Sequence, residues 1–335
     1  MADAQVQLRG IAKKFGDFTA VQPLDLQIAK GEFLVLLGPS GCGKTTTLRM
    51  IAGLEMPSAG TVMIADRDVT ALRPGERDIA FVFQMFSLYP HLSVRENIAF
   101  PLRAAGVARA QAMEHVDRVA QRLGITDILN RKPGKLAGGD QQRVSLARAM
   151  VRRPAAFLMD EPLGTLDAHQ REGTRAELRA IHNELGATTI FVTHDQLEAM
   201  SLADRIAIMR DGRLLQCAPP REVYDFPADL FVANFIGSPG MNFLDARRTG
   251  ETYQVQGTAM QLPAGSAQSS NLTLGIRPEY VRIDPAGVEA VAEQTQRLGA
   301  YNLLALRLGD KTIKARVPAD LRVAANESVR IGFDP

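Results

Sequence analysis

A cluster of glycines and small polar residues around one lysine carries the strongest chemical signal in the sequence. The cluster follows an apolar segment at 33–37 and consists of Gly38, Pro39, Ser40, Gly41, Cys42, Gly43, Lys44, Thr45 and Thr46. This order predicts a strand, a tight turn and the start of a helix. Backbone N–H groups at such a helix start bind an oligophosphate, and glycines allow its close approach. Lys44 is expected to neutralise phosphate oxygens, and Thr45 to ligate Mg²⁺.

Two adjacent carboxylates end another apolar segment. Asp160 and Glu161 follow residues 156–159, which predict a buried strand. Ligands bind at the carboxyl ends of parallel strands, so we expect both acids near Lys44. Asp160 is predicted to hold Mg²⁺, and Glu161 to orient or deprotonate the attacking water.

Two further apolar segments also end in polar side chains, each open to two interpretations. Gln84 follows residues 79–83 and either coordinates Mg²⁺ through its amide oxygen or caps its strand. His194 follows residues 189–193 and either contacts the γ-phosphate or is an ordinary satisfied polar residue. Their place at the expected sheet edge favours the functional interpretation for His194.

Three other features have a functional and a structural interpretation. Phe15 either stacks on a nucleotide base or is a buried turn residue. The glycine pair Gly138 and Gly139 opens a predicted helix that is either a second phosphate-binding end or a turn. Cys42 beside Lys44 is either a reactive thiolate or a small residue tolerated in the loop, and the second interpretation is favoured.

The composition is that of a folded protein with a balanced charge. The 335 residues predict about two domains, with 46% hydrophobic residues and a net charge of +2. No basic block interleaved with aromatics indicates a nucleic-acid partner. The two cysteines fit a reducing cytosol, and the sequence shows neither a secretory signal nor a run long enough to span a membrane.

The pattern divides the chain into two parts. Residues 1–235 alternate strands and helices, with a helical insertion at about 89–150 whose helices start near Ser93 and Arg109. Residues 236–335 are β-rich, and two alternating segments around Gly309 predict a hairpin in a small barrel. The expected fold class is an α/β phosphate-loop domain followed by a small all-β domain.

In their order and spacing, these motifs resemble the ATP-binding subunits of ABC transporters, in particular the maltose-type and related carbohydrate importers. The resemblance covers nearly the whole chain. Its motifs are Walker A at 38–46, the Q-loop at Gln84, the ABC signature at 136–142, Walker B at 157–161, the D-loop at Leu166 and Asp167, and the switch histidine His194. The tail is similar to the TOBE barrel of this family.

The resemblance implies ATP and Mg²⁺ as cofactors and assigns roles to the open positions. Phe15 would stack on adenine, Glu161 would be the general base and His194 the γ-phosphate contact. Two subunits would close head to tail, so that Ala137, Gly138, Gly139 and Asp167 help complete the site of the other subunit.

The family also implies partners and a location. Two membrane permease subunits would be contacted through residues 87–92, where Leu88 and Tyr89 are expected to be exposed, and a solute-binding protein would act indirectly. The subunit would lie at the cytoplasmic face of the cell membrane and power import of a carbohydrate, polyol or glycerol phosphate. The alternative classes are a soluble ABC ATPase of translation or DNA repair and a mainly regulatory subunit.

Three positions depart from the family pattern. The signature has Ala137 in place of serine and Asp140 in place of glutamine, and the D-loop has Gly164 where serine is common. Alanine lacks the hydroxyl that would reach a phosphate, and a carboxylate repels one. This pattern leaves two alternatives open: an asymmetric heterodimer, in which another chain supplies an intact signature, and an ordinary homodimer, which is slightly favoured.

Overall fold

The chain forms two compact units, which we describe separately. The computed structural model describes residues 4–152, 154–264 and 268–333. The units divide between Phe226 and Pro227, whereas the sequence places the division after residue 235. The difference concerns the helix Leu230–Phe235, which belongs to the second unit, where the Arg277 guanidinium donates to the carbonyl oxygen of Ile236 at 2.7 Å.

The first unit contains ten strands and seven helices among its described residues. In chain order they are β1 Ala4–Phe15, β2 Phe18–Ala29, β3 Phe33–Leu37, α1 Lys44–Ala52, β4 Ala59–Ile64, β5 Arg67–Asp68, β6 Ile79–Val82, α2 Val94–Ala104, α3 Arg109–Arg122, α4 Gly138–Met150, β7 Ala156–Asp160, α5 Ala168–Leu185, β8 Thr189–Thr193, α6 Gln196–Leu202, β9 Arg205–Arg210, β10 Arg213–Ala218 and α7 Pro220–Asp225.

Two sheets enclose the core of this unit. The larger has the order β10-β9-β3-β8-β7-β6, and all its pairings are parallel except that of β9 with β10. The residues of β3 and β8 are buried throughout, as expected for central parallel strands. The smaller, antiparallel sheet has the order β2-β1-β4-β5. Helix α1 contributes Leu48, Met50 and Ile51 to a core shared with both sheets, so the helix after the glycine-rich loop has a fixed position.

A buried arginine holds the end of α1. Arg77 is 1% exposed. Its guanidinium donates four hydrogen bonds, to the carbonyl oxygens of Met50, Ile51, Thr70 and Leu72. The cation thus lies at the negative end of the α1 dipole. Gly53, which ends α1 with φ 75°, leaves the space that the guanidinium fills, because a Cβ there would lie 2.4 Å from Arg77 Nε.

The helical insertion confirms the expected helix starts. Helix α2 begins after Ser93, whose hydroxyl accepts the Glu96 N–H while the Glu96 carboxylate accepts the Ser93 N–H. Helix α3 begins at Arg109. Both helices pack near α4, which leads back to the sheet at β7.

The second unit is built mainly from antiparallel strands. Its elements are α8 Leu230–Phe235, β11 Asn242–Thr249, β12 Thr252–Val255, β13 Gln261–Pro263, β14 Asn271–Ile276, β15 Val281–Arg297, β16 Tyr301–Leu308, β17 Lys311–Pro318 and β18 Ser328–Phe333. They form two four-stranded sheets, β13-β12-β11-β14 and β17-β16-β15-β18, over one hydrophobic core. The predicted hairpin is confirmed as β16 and β17, whose alternating apolar residues are buried.

The helices of the described residues are all too short or too polar to cross a bilayer.

Candidate nucleotide site

The predicted site residues gather at one edge of the larger sheet. The strands β3 and β8 end in register at Leu37 and Thr193, and Asp160 at the end of β7 pairs with Val192. Parallel strands therefore deliver the glycine-rich loop, the carboxylate pair and His194 to the same edge.

The glycine-rich loop has a backbone that side chains would block. A Cβ at Gly38 would lie 2.2 Å from the carbonyl oxygen of Met209, and one at Gly43, where φ is 101°, would lie 2.7 Å from that of Ala20. Pro39 and Thr46 are half-buried, whereas Ser40, Gly41 and Thr45 are exposed at the rim.

The Lys44 ammonium lies inside this loop. It donates to the carbonyl oxygens of Gly38 at 2.8 Å and Pro39 at 2.9 Å, and the residue is only 5% exposed. The cation is thus held inside the loop that is predicted to bind a phosphate.

Cys42 is a structural residue of the loop. It is 4% exposed, and burial raises the pKa of its thiol in spite of Lys44, whose charge and hydrogen bonds lower it. The thiolate interpretation is therefore disfavoured, and the small-residue interpretation stands.

Thr45 and Asp160 offer adjacent oxygen ligands. The Thr45 hydroxyl donates to Asp160 Oδ1 at 2.9 Å. Burial raises the pKa of Asp160, an effect that the Thr45 hydrogen bond opposes and the neighbouring Glu161 charge reinforces. A divalent cation would relieve this unfavourable charge, and hydroxyl and carboxylate oxygens are the ligands that Mg²⁺ prefers, so these residues fit the expected metal.

Glu161 and His194 face each other at the mouth of the site. The His194 Nδ1 lies 3.2 Å from Glu161 Oε2, and the histidine side chain is 58% exposed. Glu161 adopts φ 43°, an unusual conformation for a non-glycine residue. Gln84 is exposed and lies close to Glu161. The distances from Gly164 show this, since a Cβ added there would lie 3.7 Å from Gln84 Nε2 and 3.9 Å from Glu161 Oε2.

The structure decides one alternative for Phe15. This residue ends β1 and is 48% exposed, so the interpretation as a buried turn residue is wrong. The Lys13 ammonium lies 4.8 Å from its ring centroid. Because the ring is exposed, stacking on a base remains the predicted role of Phe15.

The signature residues lie elsewhere, beside α5. Ala137 is the N-cap of α4 and provides no side-chain cap. It lines a cleft with residues of α5, and no residue of the 38–46 loop lines that cleft. A Cβ at Gly138 would face Leu166, and one at Gly139 would face Gln170. One chain therefore brings Lys44, Thr45, Asp160, Glu161 and His194 together but not its signature.

Two acidic residues of this region are held in local contacts. The Asp167 carboxylate accepts the Gln170 N–H at 2.9 Å and so caps α5. Asp140 lies 3.5 Å from Arg143, whose guanidinium also pairs with Glu177 on α5. The negative charge at the start of α4 is thus partly balanced within the chain.

The expected exposure of Leu88 and Tyr89 is wrong, because both are half-buried. Tyr89 packs on Phe100, with ring centroids 4.6 Å apart. The apolar surface is formed instead by Phe83, Phe100 and Met85, which is 75% exposed. Phe83, Tyr89 and Phe100 line a groove of about 630 Å³ at the side of the helical insertion.

Thr193 and Glu198 are site residues that sequence reasoning missed. The Thr193 hydroxyl donates to Glu198 Oε2 at 2.6 Å, directly beside His194 in the chain. Asp195 followed three positions later by Glu198 is the pattern of a capping box at a helix start, which is a sequence signal for Glu198 but not for Thr193.

Comparison with known proteins identifies the family. A family model described as "ABC transporter" matches residues 21–164, a "MalK OB fold domain" matches residues 237–281 and a "TOBE domain" matches residues 274–335. The sulfoquinovosyl glycerol transport ATP-binding protein SmoE of Agrobacterium fabrum is 48% identical over 99% of this chain and 96% of its own length. The chain belongs to the ATP-binding subunits of ABC transporters.

Further similarities agree with this family. The trehalose/maltose import ATP-binding protein MalK of Thermococcus litoralis is 46% identical over 99% of this chain and 95% of its own length. A dimeric, post-hydrolysis structure of the ATP-binding cassette MJ0796 bound to ADP and Pi has a TM-score of 0.58 and 33% identity, covering 64% of this chain and 99% of that one. These similarities confirm the predicted fold class, an ABC ATPase domain followed by a β-rich OB/TOBE domain.

Proposed function

We propose that this ABC subunit hydrolyses ATP to drive import of a carbohydrate, polyol or glycerol-phosphate solute. The observation that carries the proposal is the meeting of Lys44, Thr45, Asp160, Glu161 and His194 at one sheet edge. Relatives that align over 99% of the chain are named for transport of sulfoquinovosyl glycerol and for import of trehalose and maltose, which favours a sugar-based solute.

Each residue at this edge has a chemical role in the proposed hydrolysis. Lys44 and the loop N–H groups bind the β- and γ-phosphates. Mg²⁺, held by Thr45 and Asp160 and reached by Gln84, would neutralise charge on those phosphates. Glu161 accepts the proton of the attacking water, and His194 lies 3.2 Å from that carboxylate, where an N–H can be donated to it or to the γ-phosphate.

The proposed active form is a dimer closed head to tail. Ala137 and Gly139, at the start of α4 on either side of Gly138, line a cleft separate from the 38–46 loop. A second subunit would bring such a start to this loop, and Asp167 would lie near the same contact. Two copies of the chain form the simpler assembly, and a heterodimer with a chain of intact signature is the alternative favoured by Ala137 and Asp140.

The proposed membrane contact is the groove that Phe83, Tyr89 and Phe100 line. Exposed aromatic side chains around a groove suit an apolar helix from a partner. Gln84 directly follows Phe83, a residue that lines the groove, so a permease seated there would lie next to the nucleotide site. The subunit would then be peripheral at the cytoplasmic face of the membrane, next to two permease subunits.

Co-purification and turnover test this function together. Two polytopic membrane proteins should accompany the tagged chain from native membranes, and Phe100→Glu should reduce their recovery. Phe226→Glu is the matched control, since Phe226 is an exposed phenylalanine outside the groove. ATP hydrolysis should disappear in Lys44→Ala. Recovery of ribosomes or DNA in place of membrane proteins would support the competing class of soluble ABC ATPases.

A further inference from the structure

The position of His194 depends on its backbone. The residue lies between the end of β8 at Thr193 and the start of α6 at Gln196. Its side chain is 58% exposed, so packing alone restrains it little. The geometry toward Glu161 must therefore be set by what holds the residues on either side.

A single hydroxyl holds both neighbours of His194. Thr193 Oγ1 donates to Glu198 Oε2 at 2.6 Å and accepts the N–H of Asp195 at 2.9 Å. The residue before the histidine is thus joined to the residue after it. Both bonds are buried or partly buried, where hydrogen bonds are stronger than in water.

Glu198 is the fixed end of this connection. It is 3% exposed on α6, in the third position of the helix. A glutamate there commonly accepts the N–H of the N-cap residue directly. Here the N-cap N–H, that of Asp195, is bonded to Thr193 instead, and the hydroxyl stands between the N-cap N–H and the carboxylate.

The surroundings explain how a buried carboxylate is tolerated. Burial raises the pKa of Glu198, whereas the Thr193 hydrogen bond and the charges of Arg171 and Arg175 lower it. Arg171 also lies 3.8 Å from Asp195. The negative charge of Asp195 raises the pKa of Glu198. Asp195 already caps α6 by accepting the N–H groups of Leu197 and Glu198. The helix start is therefore satisfied without the Glu198 carboxylate, which leaves that group for the hydroxyl.

We propose that Glu198 is a positioning residue for ATP hydrolysis, which holds His194 opposite Glu161 through the hydroxyl of Thr193. Among the described residues, the Glu198 carboxylate is hydrogen-bonded to Thr193 and not to the phosphate loop or Glu161. Its effect passes through the backbone of His194. The inference rests on the proposed ATP hydrolysis at this site.

The test is a set of variants of the full-length chain, compared by kcat and KM for ATP. Glu198→Ala is expected to lower kcat about tenfold with KM changed by less than about twofold, because the histidine is misplaced while the phosphate loop is intact. Glu198→Gln is expected to recover most of that loss, since its amide oxygen accepts the same hydrogen bond. In a His194→Ala background, Glu198→Ala is expected to lower kcat no further.

Three results would overturn the inference: a wild-type kcat in Glu198→Ala, an equal loss in Glu198→Gln, or a further loss in the His194→Ala background. Should Glu198→Ala not fold, Thr193→Val removes the hydroxyl at nearly constant volume. It is expected to lower kcat about tenfold as well, and a wild-type kcat in this variant would overturn the inference. Thermal unfolding is the folding control. Hydrolysis by the wild type but not by Lys44→Ala establishes the proposed function separately. Absence of that difference would refute the function itself.

Discussion

Substitution of Ala137 by serine should change both stability and turnover. Ala137 has the extended N-cap conformation, φ −66° and ψ 158°, but no side chain to accept an N–H from the first turn of α4. Serine at an N-cap is worth about 1 kcal/mol over alanine. For a domain of this size the expected rise in Tm is about 2–4 °C.

The effect on turnover depends on what faces the start of α4. In a homodimer this start meets the nucleotide of the other copy, and a new hydroxyl would donate to a charged phosphate oxygen. Such a bond is worth about 1.5–3 kcal/mol, or at least about tenfold in rate if it forms in the transition state. The assay is steady-state ATP hydrolysis by the purified chain, with Tm measured on the same samples.

Ala108→Ser is the matched control for this prediction. Ala108 is the N-cap of α3 and likewise makes no side-chain cap. It should raise Tm by a similar amount and leave turnover unchanged. If the unmodified chain alone forms an ATP-dependent homodimer with vigorous turnover that Ala137→Ser does not raise, then the glycines and helix start suffice and the asymmetric heterodimer is refuted.

Two other predictions concern the nucleotide site and the thiols. Glu161→Gln should bind a fluorescent ATP analogue as the wild type does yet lose at least about a hundredfold in kcat, because the proton acceptor is gone. Glu114→Gln on the exposed face of α3 is the control, and unchanged hydrolysis in Glu161→Gln would refute the assignment. Burial raises the pKa of the Cys42 thiol and raises that of Cys217 to about 11, so both carry less thiolate at pH 7.5 than a free cysteine. Iodoacetamide should label Cys217 roughly a hundredfold more slowly in the folded chain than in urea, and should also label Cys42 more slowly in the folded chain. Both rates should rise as the pH rises, and fast labelling of folded Cys42 would contradict the burial argument.

Local patterns predicted much of the site because its residues occupy fixed places after strands. Lys44 follows a glycine-rich turn, and Glu161 and His194 each follow an apolar run. The hydrophobic pattern and the order of the motifs were therefore sufficient to predict these positions. Whether an aromatic side chain is exposed or covered is set by tertiary packing instead. Tyr89 is covered by Phe100, a residue of the following helix, and its half-burial has no local signal.

Indirect hydrogen bonds were beyond sequence reasoning for a related reason. Asp195 and Glu198 show the spacing of a capping box, but that spacing predicts a direct carboxylate-to-N–H bond. The inserted Thr193 hydroxyl depends on how β8 enters α6. Similarly, the helix Leu230–Phe235 precedes the division predicted after residue 235 but belongs to the second unit, because its contacts, and not its composition, decide its membership.

The pairing of Arg77 with Gly53 has a consequence for how this sequence can change over time. The guanidinium occupies the space where any larger residue at 53 would place its Cβ, and four carbonyl oxygens accept its hydrogen bonds. A mutation at residue 53 alone creates a clash, and a mutation at residue 77 alone removes these four hydrogen bonds. A joint change that also alters the end of α1 can avoid both defects. The two positions are therefore epistatic, and lineages that diverge from this chain should keep or lose them together.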